Sequence, residues 1–85
     1  MTFHFSRHVL EEIVKRKIPQ QLVEHTLHAP EQKAREVDDI TCYQSRVEIG
    51  GKTYLLRAMV NETVHPAVVV TVYRTSKIRK YWRNP

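Results

Sequence analysis

The sequence has few of the residues that cross-link or break a chain. It contains one cysteine, two glycines and four prolines among 85 residues. A lone Cys42 excludes an internal disulfide, and scarce glycine and proline argue against disorder. No apolar run approaches the roughly 20 residues that span a bilayer, and the N-terminus lacks the apolar core of a secretion signal. These absences predict a cytoplasmic protein with no membrane partner.

The length limits the chain to one domain, residues 1–85, with a thin core. Five histidines are present, but a structural zinc site needs four clustered ligands and only one cysteine exists. We therefore expect neither a metal nor a cofactor.

Charge is strongly segregated along the chain. Residues 1–73 carry nine basic and nine acidic side chains, whereas residues 74–85 carry five basic and no acidic ones, so the whole net charge of +5 lies in the last twelve residues. Such a cluster favours a polyanion or an acidic partner protein. Tyr81 and Trp82 lie among the charges, a mixture suited to base stacking and phosphate contacts. The alternative is a solvated tail that only aids solubility.

Apolar residues recur at helical spacing twice near the N-terminus. The first helix should start at the N-cap Ser6 and run to about Arg16, and the second should lie between Pro19 and Pro30. Together they form a helical hairpin over residues 6–29. The side chains expected to face inward are Val9, Leu10, Ile13 and Val14 in the first helix and Leu22, Val23, Thr26 and Leu27 in the second.

Beyond residue 39 the pattern becomes that of strands. Residues 40–49 and 52–60 flank the pair Gly50-Gly51, which is a strong hairpin signal that sets position 44 opposite position 57. Residues 67–73 are rich in β-branched side chains and predict a third strand, and the polar residues 31–39 predict a linker or a weak edge segment.

These elements predict an α+β fold. The helical hairpin packs on one face of a three- to four-stranded antiparallel sheet over residues 36–74, and a basic C-terminal element follows at residues 75–85. The core is expected to contain Leu10, Ile13, Leu22, Leu27, Tyr54, Leu56 and Val70.

The hairpin register leaves the second sheet face polar. Gln44, Arg46 and Arg57 would lie on it, and these are poor core residues, so we expect this face to be open to solvent. With Val68, Val70 and Val72 directed inward, Thr71 and Tyr73 join Arg57. The face is then a binding surface bordered by the basic tail or, equally, an ordinary solvated sheet face.

Two stretches, FSRHVLEEIVKRKIPQQLVEHTLHAP and VVVTVYRTSKIRKYW, resemble a family of small bacterial domains of unknown function grouped with the RelE/ParE-type toxin superfamily. The resemblance implies a helical hairpin on an antiparallel sheet. It also implies an RNA-cleaving toxin held by a cognate antitoxin, or a relative that does not cleave. Glu12 stands where the family often has arginine, and Lys17 where it favours glycine. The matching positions are His8, Arg16, Thr71 and Tyr73.

RNA cleavage without a metal needs a base, an acid and fixed positive charge on the phosphorane. The predicted catalytic residues are His8 as acid or base, Arg57 as a phosphate clamp and Tyr73 as an orienting or stacking group, although His8 faces away from the apolar stripe and the alternative is a surface histidine. The sequence thus predicts an endoribonuclease toxin acting on mRNA, on or off the ribosome; the alternative is a non-enzymatic binder of a protein or RNA. The predicted RNA-binding residues are Arg46, Thr71, Arg74, Lys77, Arg79 and Lys80.

Overall fold

The computed structural model describes residues 2–84. Within them the chain forms five strands and three helices, and the strands make one sheet in the order β1-β5-β4-β3-β2. β1 is parallel to β5, and the other neighbours are antiparallel. No helix in this part of the chain is long and apolar enough to cross a membrane. In chain order the elements are β1 (Phe3–Phe5), α1 (Arg7–Lys15), α2 (Gln20–His28), β2 (Gln32–Arg35), β3 (Ile40–Ile49), β4 (Lys52–Asn61), β5 (Ala67–Thr75) and α3 (Ile78–Tyr81).

The α+β class is confirmed, but the sheet is larger than predicted and is mixed rather than antiparallel. The two additional strands are its edges, β1 and β2. β1 is only three residues long, too short to show an alternating pattern, although Phe3 and Phe5 both pack against the core. β2 consists mostly of polar residues, and its place in the sheet comes from backbone pairing with β3. Neither strand has a hydrophobic periodicity by which sequence reasoning could find it.

The two N-terminal helices lie where their capping residues predict. The Ser6 hydroxyl accepts a hydrogen bond from the Val9 N–H at 3.2 Å, which starts α1. After its last turn, Lys17 adopts a left-handed conformation with φ of 55°, and the Ile18 N–H donates to the Ile13 carbonyl at 3.0 Å. This is the hydrogen-bond pattern that glycine most readily supports, so lysine there costs about 1 kcal/mol.

The helices cover one face of the sheet, α1 mainly over β5 and α2 over β3 and β4. Val9 and Ile13 point at the sheet and are buried, but Leu10 and Val14 are 41% and 77% exposed. The predicted inward orientation of Leu10 and Val14 is therefore wrong. Residues 9 and 13 are one turn apart on a single stripe, and their neighbours 10 and 14 lie about 100° around the helix. A single layer of sheet contacts only the first stripe.

The central hairpin has the predicted register. Gly50 and Gly51 both have positive φ, and they set Ile49 opposite Lys52 and Gln44 opposite Arg57. Leu56 is fully buried on the helical side, as expected.

The third predicted strand, β5, departs from the expected alternation. A bulge sets Met59 opposite Thr71 but Val60 opposite Val69, so Val70 is the extra residue and is 46% exposed. Val69 is fully buried instead, which reverses the prediction for these two valines. A one-residue shift exchanges the faces of all residues on one side of it, and no turn signal in the sequence marks its position.

Candidate functional site

The sheet face opposite the helices, called the second face below, is covered by the C-terminal segment, residues 76–84. Tyr81 and Trp82 are the anchors: the Arg57 guanidinium lies 4.2 Å from the Tyr81 ring centroid, and the Arg46 guanidinium 4.3 Å from that of Trp82. The Gln44 amide also donates to the Tyr81 carbonyl at 3.2 Å. The prediction of a solvent-open face is therefore wrong, and Gln44 and Arg57 are 0% and 4% exposed.

Arg57 is the centre of a buried polar network on the second face. Its Nε donates to Gln44 Oε1 at 2.9 Å, and one terminal nitrogen donates to the Tyr73 hydroxyl. The Gln44 Nε2 donates in turn to Gln32 Oε1 at 2.8 Å. These residues come from four places in the chain and satisfy one another, which explains how a sheet core can hold an arginine and a glutamine.

The electrostatics of the network keep the guanidinium charged and the thiol neutral. Burial lowers the pKa of Arg57, but the hydrogen bond to Tyr73 and the neighbouring Cys42 and Glu36 outweigh it, so this pKa lies above its usual value. Burial raises the pKa of the Cys42 thiol, although Arg57 opposes the effect. A buried, protonated thiol is a poor nucleophile, so Cys42 is not a candidate for covalent chemistry.

A cavity of about 380 Å³ lies above this network, and we call it the Arg57 pocket. Three of its side chains are cationic and one is anionic. The anion is Glu36, whose Oε2 lies 3.6 Å from Arg57 Nη2 and 3.7 Å from Arg83 Nη2. Such an excess of positive charge suits the pocket to bind an anion and to stabilise negative charge on it. The pocket is lined by Glu36, Arg57, Lys80, Tyr81, Trp82 and Arg83.

A second cavity, of about 450 Å³, lies on the other side of Trp82. Its charged side chains are Arg46 and Arg79. Arg46 is already engaged, since its Nε and Nη2 donate to the two carboxylate oxygens of Glu31 at 3.1 and 3.0 Å. The side-chain hydrogen bond from Arg46 is also the main cause of the lowered pKa of Glu31. Arg79 is therefore the more available cation of this cavity.

The structure separates the predicted site residues into two groups. Arg57 and Tyr73 lie together on the second face, and Thr71 shares that face further along β5 but lines neither cavity. His8 is exposed on α1, on the opposite side of the sheet. Arg74 pairs with Leu56 and so also lies on the helical side, with its guanidinium 4.6 Å from the Tyr54 ring centroid.

The remaining predicted cations belong to the C-terminal segment. Lys77, Arg79 and Lys80 are exposed, and none of them makes an ion pair with any residue in the range 2–84. Lys80 lines the Arg57 pocket and Arg79 lines the second cavity. These two are the charges that a ligand could reach without first displacing a carboxylate.

Sequence reasoning missed three residues that shape the site. Glu36 occupies a polar connection with no motif around it, and only the fold carries it to Arg57. Gln32 is in the unpredicted strand β2, where its side-chain oxygen accepts the Arg83 N–H at 3.1 Å and its amide donates to the Arg83 carbonyl. Two aromatic residues in a short basic tail were the available signal, because apolar rings near a chain end favour docking onto the domain.

The chain belongs to a family of domains of unknown function, DUF4258, whose model matches residues 5–74. The match includes Glu36, Arg57 and Tyr73, and it ends before the C-terminal segment that supplies Lys80 and Arg83. No curated protein matches the chain, and no solved structure does.

Proposed function

We propose that this protein binds RNA across its second face and acts as a RelE/ParE-type toxin of a bacterial toxin–antitoxin pair. The observation that carries RNA binding is the Arg57 pocket, where Arg57, Lys80 and Arg83 surround one carboxylate. The toxin assignment rests on the resemblance of the helical and last-strand sequences described above.

The charge pattern favours RNA over a protein ligand. Lys77, Arg79 and Lys80 are exposed and lie within four residues of one another, so they could contact successive phosphates. Each phosphate neutralised by lysine or arginine releases condensed counterions, and this release drives nucleic-acid binding at moderate salt. The rings of Tyr81 and Trp82 already stack on arginines, so we expect phosphate contacts to contribute more than base stacking.

In this proposal, cleavage is a transesterification without a metal ion. The 2′-oxygen attacks the adjacent phosphorus, the 5′-oxygen leaves, and the proton of the 2′-hydroxyl ends on the 5′-oxygen. The products carry a 2′,3′-cyclic phosphate and a 5′-hydroxyl. Arg57 and Lys80 would stabilise the phosphorane, and losing one such group costs about 10²–10³ in rate. His8 has no part in this arrangement, because α1 lies on the other side of the sheet.

A second candidate function is a toxin-fold protein that binds RNA or a target protein without cleaving it. The observation in its favour is that the donors of Arg57 are engaged with Gln44 and Tyr73. In addition, no histidine lines the Arg57 pocket among the residues that the structure describes. Such a site holds a phosphate more readily than it moves a proton.

The experiment that separates the two is incubation of the purified protein with total RNA, with and without ribosomes, followed by mapping of new 5′-hydroxyl ends. The nuclease predicts discrete new ends that Lys80→Ala reduces by about 10²-fold or more. Lys15→Ala, which removes an exposed charge on α1, is the matched control and should cleave normally. A protein that shifts RNA in a gel but gives no new ends under either condition would be the non-enzymatic binder.

A further inference from the structure

Glu36 has an unusual position among the charged residues of the second face. It is the one carboxylate that lines the Arg57 pocket, and it follows directly after β2. Its backbone is fixed, since the Glu36 N–H donates to the Ile40 carbonyl at 2.9 Å in the turn between β2 and β3. Its side chain is 27% exposed, so it can rotate into solvent without opening the core.

The carboxylate is held loosely by its two arginines. Its distances of 3.6 Å to Arg57 and 3.7 Å to Arg83 exceed the about 2.7–2.9 Å of a charge-assisted hydrogen bond. Both contacts also use the same oxygen, Oε2. Glu36 is therefore attracted to the two guanidinium groups through space without forming a close pair with either.

A second carboxylate on the same face shows what a closed pair looks like in this chain. Glu31 accepts the side-chain nitrogens of Arg46 at 3.0 and 3.1 Å and the Arg46 backbone N–H at 2.7 Å. Glu31 lines neither cavity of the second face, whereas Glu36 lies inside one. The loosely held carboxylate is thus the one placed where an anionic ligand would enter.

We propose that Glu36 is an internal anion that occupies the phosphate position of the Arg57 pocket, and that the phosphate group of a ligand displaces it. A phosphate group has several acceptor oxygens arranged around phosphorus and can bond Arg57 and Arg83 at once, whereas the tethered carboxylate reaches neither. Glu36 thereby weakens phosphate binding and selects for ligands that can use both arginines. The identity of the phosphate as part of RNA rests on the proposed function; the displacement itself does not.

The test uses Glu36→Gln, which removes the charge and keeps the shape of the side chain. Trp82 is the single tryptophan and lines the pocket, so its fluorescence reports binding directly. Two probes are titrated separately, inorganic phosphate and a short single-stranded RNA. Glu24→Gln changes the net charge equally but lies on α2, across the sheet, and serves as the matched control.

We expect Glu36→Gln to bind both probes about fivefold more tightly than wild type, since one surface ion pair is worth at most about that factor, and Glu24→Gln to be unchanged. Equal affinity of Glu36→Gln and wild type, or an equal gain in both variants, would overturn the proposal. Loss of RNA cleavage by Glu36→Gln without tighter binding would also overturn it, because Glu36 would then be a catalytic base.

Two further arms keep the test decisive. If Glu36→Gln unfolds at the assay temperature, Glu36→Asp replaces it, because the shorter side chain withdraws the carboxylate and should give a smaller gain of the same sign. If inorganic phosphate follows the predicted order while RNA binds no variant, the internal anion stands and the proposed RNA function fails. No gain from Glu36→Gln or Glu36→Asp with either probe sinks the internal anion even where RNA binds.

Discussion

Replacement of Arg57 by alanine should destabilise the whole domain, even though arginine is usually a surface residue. The side chain is 4% exposed, and it donates to Gln44 Oε1 at 2.9 Å and to the Tyr73 hydroxyl. Removing it leaves the oxygen of Gln44, itself fully buried, without this donor, which costs about 1–3 kcal/mol. Loss of the stacking on Tyr81, at 4.2 Å, adds about 0.5–2 kcal/mol.

The ion pair with Glu36 adds little to this estimate, because that carboxylate is partly exposed and keeps Arg83 as a neighbour. We therefore expect Arg57→Ala to lose about 3 kcal/mol of unfolding free energy. An 85-residue domain has only about 4–13 kcal/mol in total. The same loss should lower Tm by about 12–24 °C.

The assay is urea unfolding, followed in parallel by circular dichroism and by the fluorescence of Trp82. Arg46→Ala is the matched control: this arginine is on the same face and stacks on Trp82, but its side chain is 52% exposed. It should cost less than about 1 kcal/mol. If Arg57→Ala loses no more than Arg46→Ala, the buried network is not a stabilising element and the reasoning fails.

Two further predictions concern the core and the pH dependence of stability. Leu56 is fully buried beneath the helices, so Leu56→Ala should lose about 2–5 kcal/mol in urea unfolding, and a loss below about 1 kcal/mol would refute its place in the core. Glu62 accepts a hydrogen bond from the Tyr43 hydroxyl and pairs with Lys33, and the first of these contacts contributes most to holding the pKa of Glu62 below its usual 4.5. A carboxylate with a lowered pKa stabilises the fold above its unfolded pKa of 4.5 and loses that contribution as the pH falls through the folded value. Glu62→Gln should thus be less stable than wild type at neutral pH and similar to it in strong acid, and an equal deficit at both would contradict this assignment.

The sequence predicted those parts of the fold that depend on local signals. Ser6 marks the start of α1, and the pair Gly50-Gly51 fixes the register that brings Gln44 opposite Arg57. Hydrophobic periodicity also identified Ile13 and Leu56 as core residues. Each of these signals lies within a few residues of the structure it determines.

The parts that could not be predicted depend on long-range pairing. The strands β1 and β2 are held by their neighbours rather than by their own periodicity, and the bulge at Val70 shifts β5 without a sequence mark. The largest error concerned the second face, which a mid-strand arginine and glutamine seemed to leave to solvent. Only the docking of Tyr81 onto Arg57 shows that these polar residues satisfy one another under a cover.

RNA binding by the C-terminal segment is the central claim, and the salt dependence of affinity tests it most directly. Affinity for a short single-stranded RNA is measured over a range of salt for wild type and for a variant with Lys77, Arg79 and Lys80 all changed to glutamine. A control variant carries the same change at Lys15, Lys17 and Lys52, three exposed positions outside the segment.

The account predicts that the segment variant binds more weakly and that its slope of log affinity against log salt falls by up to about three, roughly one for each lost phosphate contact. The control variant should keep the wild-type slope. A segment variant with an unchanged slope, or a control that loses as much, would show that RNA does not bind here.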